Sequence, residues 1–260
     1  MKIFLVYVPC YNEQDAIFPL ALQFQQLREM LTPKDILLNV IWIDDCSSDT
    51  TFENITSLCK QNNKDNFVIH HPINKGLVGA LETMLSHFRK NFKSEMEDIL
   101  GVGLLDGDNS QNPIFFESML LKISEGYDVV IASRFREGSA VHGVPQNRKL
   151  LSIAMSFLFR LLGRVPHVRD YSCGFRAYSP GILLKLGENF RFINRSFACM
   201  VELLMACHQR KASFAEVPLI LRYDYKISES KMKVFITIKE TLYILFSSKH
   251  KPSSEQTVAG

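Results

Sequence analysis

The sequence is short of several things that would narrow its class at once. Its six cysteines (positions 10, 46, 59, 173, 199 and 207) include no C-x-x-C pair. That spacing argues against a zinc ribbon and a disulfide framework, and several lie inside apolar runs, as small core residues of a reducing compartment do. No apolar run approaches the ~20 residues of a membrane span. The first run, residues 3–8, stops at Pro9, short of the roughly 7–15 residues of a signal-peptide core and without a small-residue cleavage site. It reads as a strand. The formal net charge is only +3, too small an excess to indicate nucleic-acid binding without clustering on one face, although it suits anionic small ligands or lipid headgroups. No period of 20–50 residues recurs, which excludes a solenoid.

What is present is apolar substance in a regular order. With 260 residues and 47% hydrophobic content, the chain can bury the core of one large domain, or of one domain with an appendage. Apolar runs at 3–8, 36–43, 67–71, 99–104 and 127–132 alternate with helical patterns ending near Met30, Lys60 and Phe92, and with one opening at Asn112-Pro113. Asn12 is expected to cap the first helix near Glu13. This alternation predicts an α/β fold, a doubly wound and mostly parallel sheet with helices on both faces and one ligand crevice at the strand ends. Further on, the patterns predict helices over 145–162, 196–209 and 232–246, strands over 173–178 and 212–221, and a disordered tail from Pro252. The 232–246 helix is amphipathic and flanked by lysines.

The most informative stretch is Ile99-Leu100-Gly101-Val102-Gly103-Leu104-Leu105-Asp106-Gly107-Asp108-Asn109. An unbroken apolar run suits a strand covered on both faces. It stops at two carboxylates one residue apart, which can reach a single hard divalent cation if the chain turns there, and Gly107 permits the turn. An isolated pair of this kind is equally what a polar turn after a strand looks like. The other strand ends decide.

Taken together, Pro9-Cys10-Tyr11-Asn12-Glu13, Asp44-Asp45-Cys46-Ser47-Ser48-Asp49, Asn74-Lys75-Gly76-Leu77, Asp106-Gly107-Asp108 and Ser133-Arg134-Phe135 resemble, in order and spacing, the GT-A inverting glycosyltransferases of family 2. The subgroup resembled is dolichol-phosphate mannose synthase and the bacterial polyprenyl-phosphate glycosyltransferases. Asp170 to Arg176, Glu216-Val217-Pro218-Leu219 and the segment from Leu221 to Met232 fit it as well, so the likeness covers roughly residues 1–232.

The resemblance implies a GT-A domain over 1–230, with a nucleotide-sugar half (1–135) and an acceptor half (136–230), then a helix at 231–250 that lies on a membrane surface or packs on the domain. It implies a hexosyltransferase that moves sugar from a UDP- or GDP-linked donor to a polyprenyl or dolichyl phosphate. Asp106 and Asp108 would hold Mg²⁺ or Mn²⁺ against the diphosphate. Pro9, Tyr11, Glu13 and Gly107 would border the donor, Asp45 would read the base edge, and Arg134, Arg148 and Lys231 would meet phosphates. Arg176 and Arg222 add positive charge. Asp44 and Asp45 are also ordinary helix-capping residues. The implied localisation is cytoplasmic, peripheral on the membrane face, with no nucleic-acid partner.

Three positions depart from the subgroup. Ser110 stands where it often carries a metal-ligating glutamine, Gly107 replaces a commoner alanine, and Ser228 and Tyr225 replace a glycine and an arginine before Ser230-Lys231. Two other functions stay open on the residues alone: transfer to a small-molecule or saccharide hydroxyl, with Glu202 or Asp170 as general base, and a nucleotidyltransferase or non-catalytic sugar-nucleotide binder. The latter usually shows a Gly-rich basic first loop, which Pro9 to Glu13 is not.

Overall fold

A computed structural model of the protein describes residues 1–61, 66–94, 96–163, 165–225 and 234–246, without the side chains of 147–149, 151, 234, 235 and 245. The elements run β1 (Lys2–Cys10), α1 (Ile17–Leu31), β2 (Ile36–Asp44), α2 (Thr51–Gln61), β3 (Asn66–His70), α3 (Gly76–Phe92), β4 (Ile99–Leu104), α4 (Phe116–Ser124), β5 (Val129–Ser133), β6 (Ala140–His142), α5 (Gln146–Gly163), β7 (Arg176–Tyr178), α6 (Pro180–Lys185), α7 (Cys199–Gln209), β8 (Phe214–Pro218), β9 (Ile220–Arg222) and α8 (Val234–Phe246). Among the described residues seven strands form one sheet in the order β3-β2-β1-β4-β7-β5-β8, and β6 pairs with β9 in a second, small sheet.

The central strands are buried on both faces: every residue from Phe4 to Val8, and from Val40 to Asp44, is covered. That is why they read as unbroken apolar runs. The helices supply the cover. In α3 the buried side chains Val78, Leu81, Met84, Leu85 and Phe88 recur at three- and four-residue spacing, a single stripe facing the sheet. Phe116 of α4 sits edge-on to both Phe4 and Phe175, with ring centroids 5.0 and 4.7 Å away, a favourable aromatic geometry. Cys199 and Cys207 are buried in α7, and burial pushes both thiols up to about 12, so they act as small apolar residues.

Strand order departs from the sequence expectation at one place. All neighbours in the large sheet are parallel except β7, which is antiparallel to both β4 and β5 and lies between them. The expected 173–178 strand contracts to three residues, too few to carry a period. The expected 212–221 strand is two: the backbone leaves the sheet at Leu219, whose N–H donates to the Ser133 carbonyl (3.1 Å) while its carbonyl accepts from Ala140 N (3.0 Å). The first helix opens at Ile17 without a side-chain cap. Asn12 instead sits in the left-handed region (φ 51°) and accepts from the Ser48 backbone N–H at 2.8 Å, tying the loop after β1 to the loop after β2. The tail expected beyond residue 251 lies outside the described residues.

Candidate active site

The carboxyl ends of β1, β2, β4 and β5 meet at one edge, and their loops are stitched together by backbone. Gly107 N donates to Pro9 O (3.1 Å), and Asp45 N to Cys10 O (2.9 Å). Glu13 N donates to Thr51 Oγ1 (2.8 Å). These loops frame a cleft of about 680 Å³ bordered by Pro9, Tyr11, Glu13, Asp45, Asp106 and Asp108, with Gly107 and Arg134 also on its wall. The expected donor-side residues and the two expected metal ligands are therefore gathered in one place. Arg148 and Lys231 are not placed there: the side chain of the first and the whole of the second fall outside the described residues.

The Asp106-Gly107-Asp108 turn is held from within. Asp108 Oδ1 accepts from Ser110 N (3.0 Å) and Ser110 Oγ (2.6 Å), and Asn109 takes up the left-handed conformation (φ 60°) that the turn needs. Asp106 Oδ2 accepts from Gln111 Nε2 (3.1 Å), and Gln111 Oε1 accepts from Asp106 N (3.4 Å). The glutamine missing at position 110 thus has a neighbour at 111 that orients the first acid. Gly107 is constrained by protein: a Cβ there would fall 2.5 Å from Cys10 Sγ and 2.8 Å from Pro9 O. Alanine is not a neutral alternative in this chain, because Cys10 fills the space it needs.

The opposite wall follows from the register of β7. Leu104 pairs with Arg176 in antiparallel sense, so the residue two beyond Leu104, Asp106, faces the residue two before Arg176, Gly174. A Cβ on Gly174 would stand 3.4 Å from both Asp106 oxygens, in van der Waals contact with them and in the path of anything they bind. Gly174→Ala is expected to leave the melting temperature within about 2 °C of the parent, as for most substitutions off the core, while metal-dependent turnover falls about tenfold or more. A thermal scan beside steady-state kinetics checks this; unchanged kinetics would show that the oxygens are not used.

Arg134 closes the far side. Its Nε and Nη2 grip Asp170 at 2.8 and 2.7 Å, Nη2 also donates to Ser172 Oγ (2.9 Å), and its backbone N–H donates to the same carboxylate (3.0 Å). Burial alone would raise the Asp170 pKa, but the Arg134 charge and hydrogen bonds outweigh it and hold the carboxyl below the ordinary range. Cys173 N supplies a fourth donor (3.2 Å). The four acceptor positions of Asp170 are then filled, which removes it as a general base. Glu202 is removed on similar grounds: it is fully buried and accepts from Ile193 N, Asn194 N and Asn194 Nδ2 at 2.7, 3.1 and 2.8 Å. Two further cations are spent elsewhere. Arg176 is fully buried on the carbonyls of Tyr171, Cys173 and Met200, and Arg222 pairs with Asp224 at 2.8 Å and lies 3.8 Å above the Tyr225 ring.

At the donor end, Asp45 caps α3 rather than α2. Its Oδ1 accepts from Lys75 N (2.8 Å) and its Oδ2 from Gly76 N (2.7 Å); α2 is capped by Asp49, which accepts from Thr51 N at 2.9 Å. His71, buried and unmarked in the sequence, donates from Nδ1 to Asp45 Oδ1 at 2.7 Å, while its Nε2 lies 2.8 Å from Thr83 Oγ1. Nothing in the pattern of residues 67–71 distinguishes this histidine from its exposed neighbour His70.

Two carboxylates with hard oxygen donors, on a turn that exposes them to a cleft, fit a divalent cation that takes its other ligands from a diphosphate and water. Among the described residues no third His, Cys, Asp or Glu joins them.

A model of the family described as glycosyl transferase family 2 matches residues 5–187. The chain is 27% identical to a UDP-N-acetylglucosamine–dolichyl-phosphate N-acetylglucosaminyltransferase of Methanococcus voltae, over 84% of this chain and 85% of that one. It is 26% identical to a dolichol-phosphate mannosyltransferase of Pyrococcus furiosus, over 90% of this chain but only 60% of the relative's length. Among solved structures it is similar in fold to a glucosyl-3-phosphoglycerate synthase of Mycobacterium tuberculosis crystallised with Mn²⁺, UDP and phosphoglyceric acid, with TM-score 0.64 at 19% identity over 97% of this chain and 80% of that one. The family match spans more than half of the chain and includes the loops after β1, β2, β4 and β5, so the protein belongs to glycosyl transferase family 2, with a GT-A fold, and is a glycosyltransferase.

Proposed function

We propose that the protein transfers a sugar, with inversion, from a uridine-linked nucleoside diphosphate donor to a polyprenyl phosphate. The observation that carries the acceptor half is a second, apolar cavity of about 360 Å³ between α5 and α8, lined by Ile153, Met155, Phe159 and Ile238, which meets the first cleft at Arg134, Ser172 and Tyr223. A lipid chain fits the apolar side, and its phosphate falls at the junction. There Arg134 has both Nη1 hydrogens without a partner among the described residues, while Asp170 and Ser172 fix its plane. A fixed guanidinium grips phosphate oxygens with little further ordering.

The chemistry asks little of a base. A phosphate oxygen that is already anionic attacks the anomeric carbon, and the bond to the donor diphosphate breaks with its electron pair leaving on that diphosphate. Arg134 positions the nucleophile. Asp106 and Asp108, oriented by Gln111 and Ser110, would hold the divalent cation, Mg²⁺ or Mn²⁺, which when bound supplies Lewis-acid stabilisation of the leaving group.

The base assignment rests on Asp45 facing the nucleobase. A carboxylate has about four acceptor positions, and three are used by His71, Lys75 and Gly76. One remains, on Oδ2. The uracil edge offers a single N–H between two acceptors and matches it; the guanine edge offers two adjacent donors, one of which would be left unpaired. Unpaired buried donors are costly enough to discriminate. UDP is therefore expected to bind, with Mn²⁺, about tenfold or more tighter than GDP by titration calorimetry, and equal affinities would overturn the uridine assignment.

One observation favours a hydroxyl acceptor instead: Glu240 of α8 borders the cleft, hydrogen-bonded to Ser196, where a general base would stand. Incubating the protein with a panel of sugar nucleotides and Mg²⁺ or Mn²⁺, with a short polyprenyl phosphate or a soluble alcohol, separates the two. Product only with the lipid phosphate supports the proposal, and equal transfer to the alcohol overturns it.

A further inference from the structure

Helix α5 is apolar on both its sides. Ser156 and Phe159 are buried, yet the outer face carries Leu150, Ile153, Phe157 and Leu161 at 67, 56, 67 and 58% exposure, one stripe at three- and four-residue spacing. A helix with apolar side chains on two sides is normally covered on both. The sequence from Gln146 to Gly163 contains Arg148, Lys149 and Arg160 and no acid. The neighbouring α8 leaves Tyr243 and Phe246 exposed by 57 and 69%.

Beside the end of the stripe lies a third cavity, about 520 Å³, of which Phe157 and Leu161 form one wall and Arg136, Arg160, His167 and Arg169 the rest of its polar lining. The Arg136 charge is matched by buried Glu216, 2.8 Å away, and it also donates to the His167 carbonyl (2.7 Å). Arg169 gives one N–H to the Phe135 carbonyl (3.2 Å). The Arg169 backbone N–H donates to Glu216 (2.7 Å), but neither the Arg160 nor the Arg169 guanidinium has an ion-pair partner among the described residues. The concavity is thus cationic, and it opens beside exposed hydrocarbon.

We propose that this face docks on an anionic bilayer, with the α5 stripe in the headgroup–acyl boundary and a lipid phosphate between Arg160 and Arg169. Charge decides the occupant. A second copy meeting the same face would bring its own arginines against these, since a two-fold contact is self-complementary. An anionic lipid surface meets the arginines with phosphate and the stripe with acyl chain. The inference rests on the proposed acceptor in one respect: Ile153 belongs both to the stripe and to the lining of the apolar cavity that leads to Arg134, so docking sets that entrance against the membrane. It assigns the contact to α5, where the sequence had pointed to the C-terminal helix.

The test needs no donor. The chain has a single tryptophan, Trp42, fully buried, so Phe157→Trp adds a reporter on the stripe. Its emission should move to the blue on adding phosphatidylcholine vesicles with about 30% phosphatidylglycerol, and much less with phosphatidylcholine alone. In co-sedimentation, Arg160→Ala with Arg169→Ala should lower binding to the anionic vesicles about 25-fold, roughly fivefold for each arginine at the surface. An unchanged emission, undiminished binding by the double variant, or a blue shift that depends on protein concentration without vesicles would each overturn it, the last by identifying a second copy as the occupant. Vesicle binding without transfer to the lipid acceptor leaves docking in place and sinks the proposed reaction. Transfer to a short acceptor without vesicle binding does the reverse.

Discussion

Asp108→Asn is expected to lower sugar transfer by about three orders of magnitude, because a cation at a diphosphate contributes several kcal/mol and each 1.36 kcal/mol is a factor of ten. The substitution is nearly isosteric. Asp108 is 8% exposed, and its turn depends on Oδ1 accepting from Ser110 N and Oγ. Asparagine keeps that oxygen, while the charge and the second carboxylate oxygen are lost. With both Ser110 bonds kept, the melting temperature should stay within about 2 °C of the parent. Asp106→Asn is less selective, since its Oδ2 accepts from Gln111 Nε2, and an amide nitrogen turned toward that donor breaks the pair. Titrating Mn²⁺ into each variant while following transfer separates lost metal affinity from lost structure. A variant at position 108 that keeps more than about a tenth of the parent activity would remove the metal assignment.

The largest loss of stability is expected at a residue that touches no ligand. Arg176→Met should destabilise the fold by about 3–5 kcal/mol, the range for breaking a buried charged network, which lowers the melting temperature by about 10 °C in a chain of this size. The Arg176 guanidinium spans three carbonyls, Tyr171, Cys173 and Met200, at 2.7 to 2.8 Å. Methionine fills the volume and satisfies none of them, and each buried carbonyl left without a donor costs its full desolvation. Arg176→Lys should recover only part of the loss, because a single ammonium cannot reach three diverging acceptors. Differential scanning calorimetry on both variants checks this. A melting temperature within about 2 °C of the parent for the methionine variant would mean that water or a rearranged loop replaces the guanidinium.

These two residues also mark what was legible in the sequence. The run ending at Asp106 and Asp108 was visible because a doubly covered strand has to be apolar throughout, and the acids that stop it stand out in any reading. Arg176 was read as a charge available to phosphate, since nothing local indicates that a three-residue strand will bury it among carbonyls. The helical periods placed α3 and α7 to within a few residues, yet the opening of α1 slipped by four because Asn12 bonds to Ser48, a partner 36 positions away. Gln111, Gly174 and His71 were missed for the same reason: each acquires its role from a pairing made in three dimensions. Composition did carry the six cysteines, the absence of a spanning helix among the described residues and the mild positive charge, all of which are properties of sums rather than of contacts.

The position of β7 has a consequence for the order in which the chain acquires its shape. During synthesis β1 to β5 emerge first, but β4 and β5 are never partners; the slot between them is filled only when residues 176–178 arrive. Until then the nascent sheet carries two bare inner edges facing one gap, a state prone to wrong pairing. The first 135 residues, although they hold all the loops that frame the donor end, are a sheet with a missing stave, and exchanging them between related enzymes would exchange half of a joint. A graft that moves residues 1–178 together, with β7 and the Gly174 turn included, carries the joint intact.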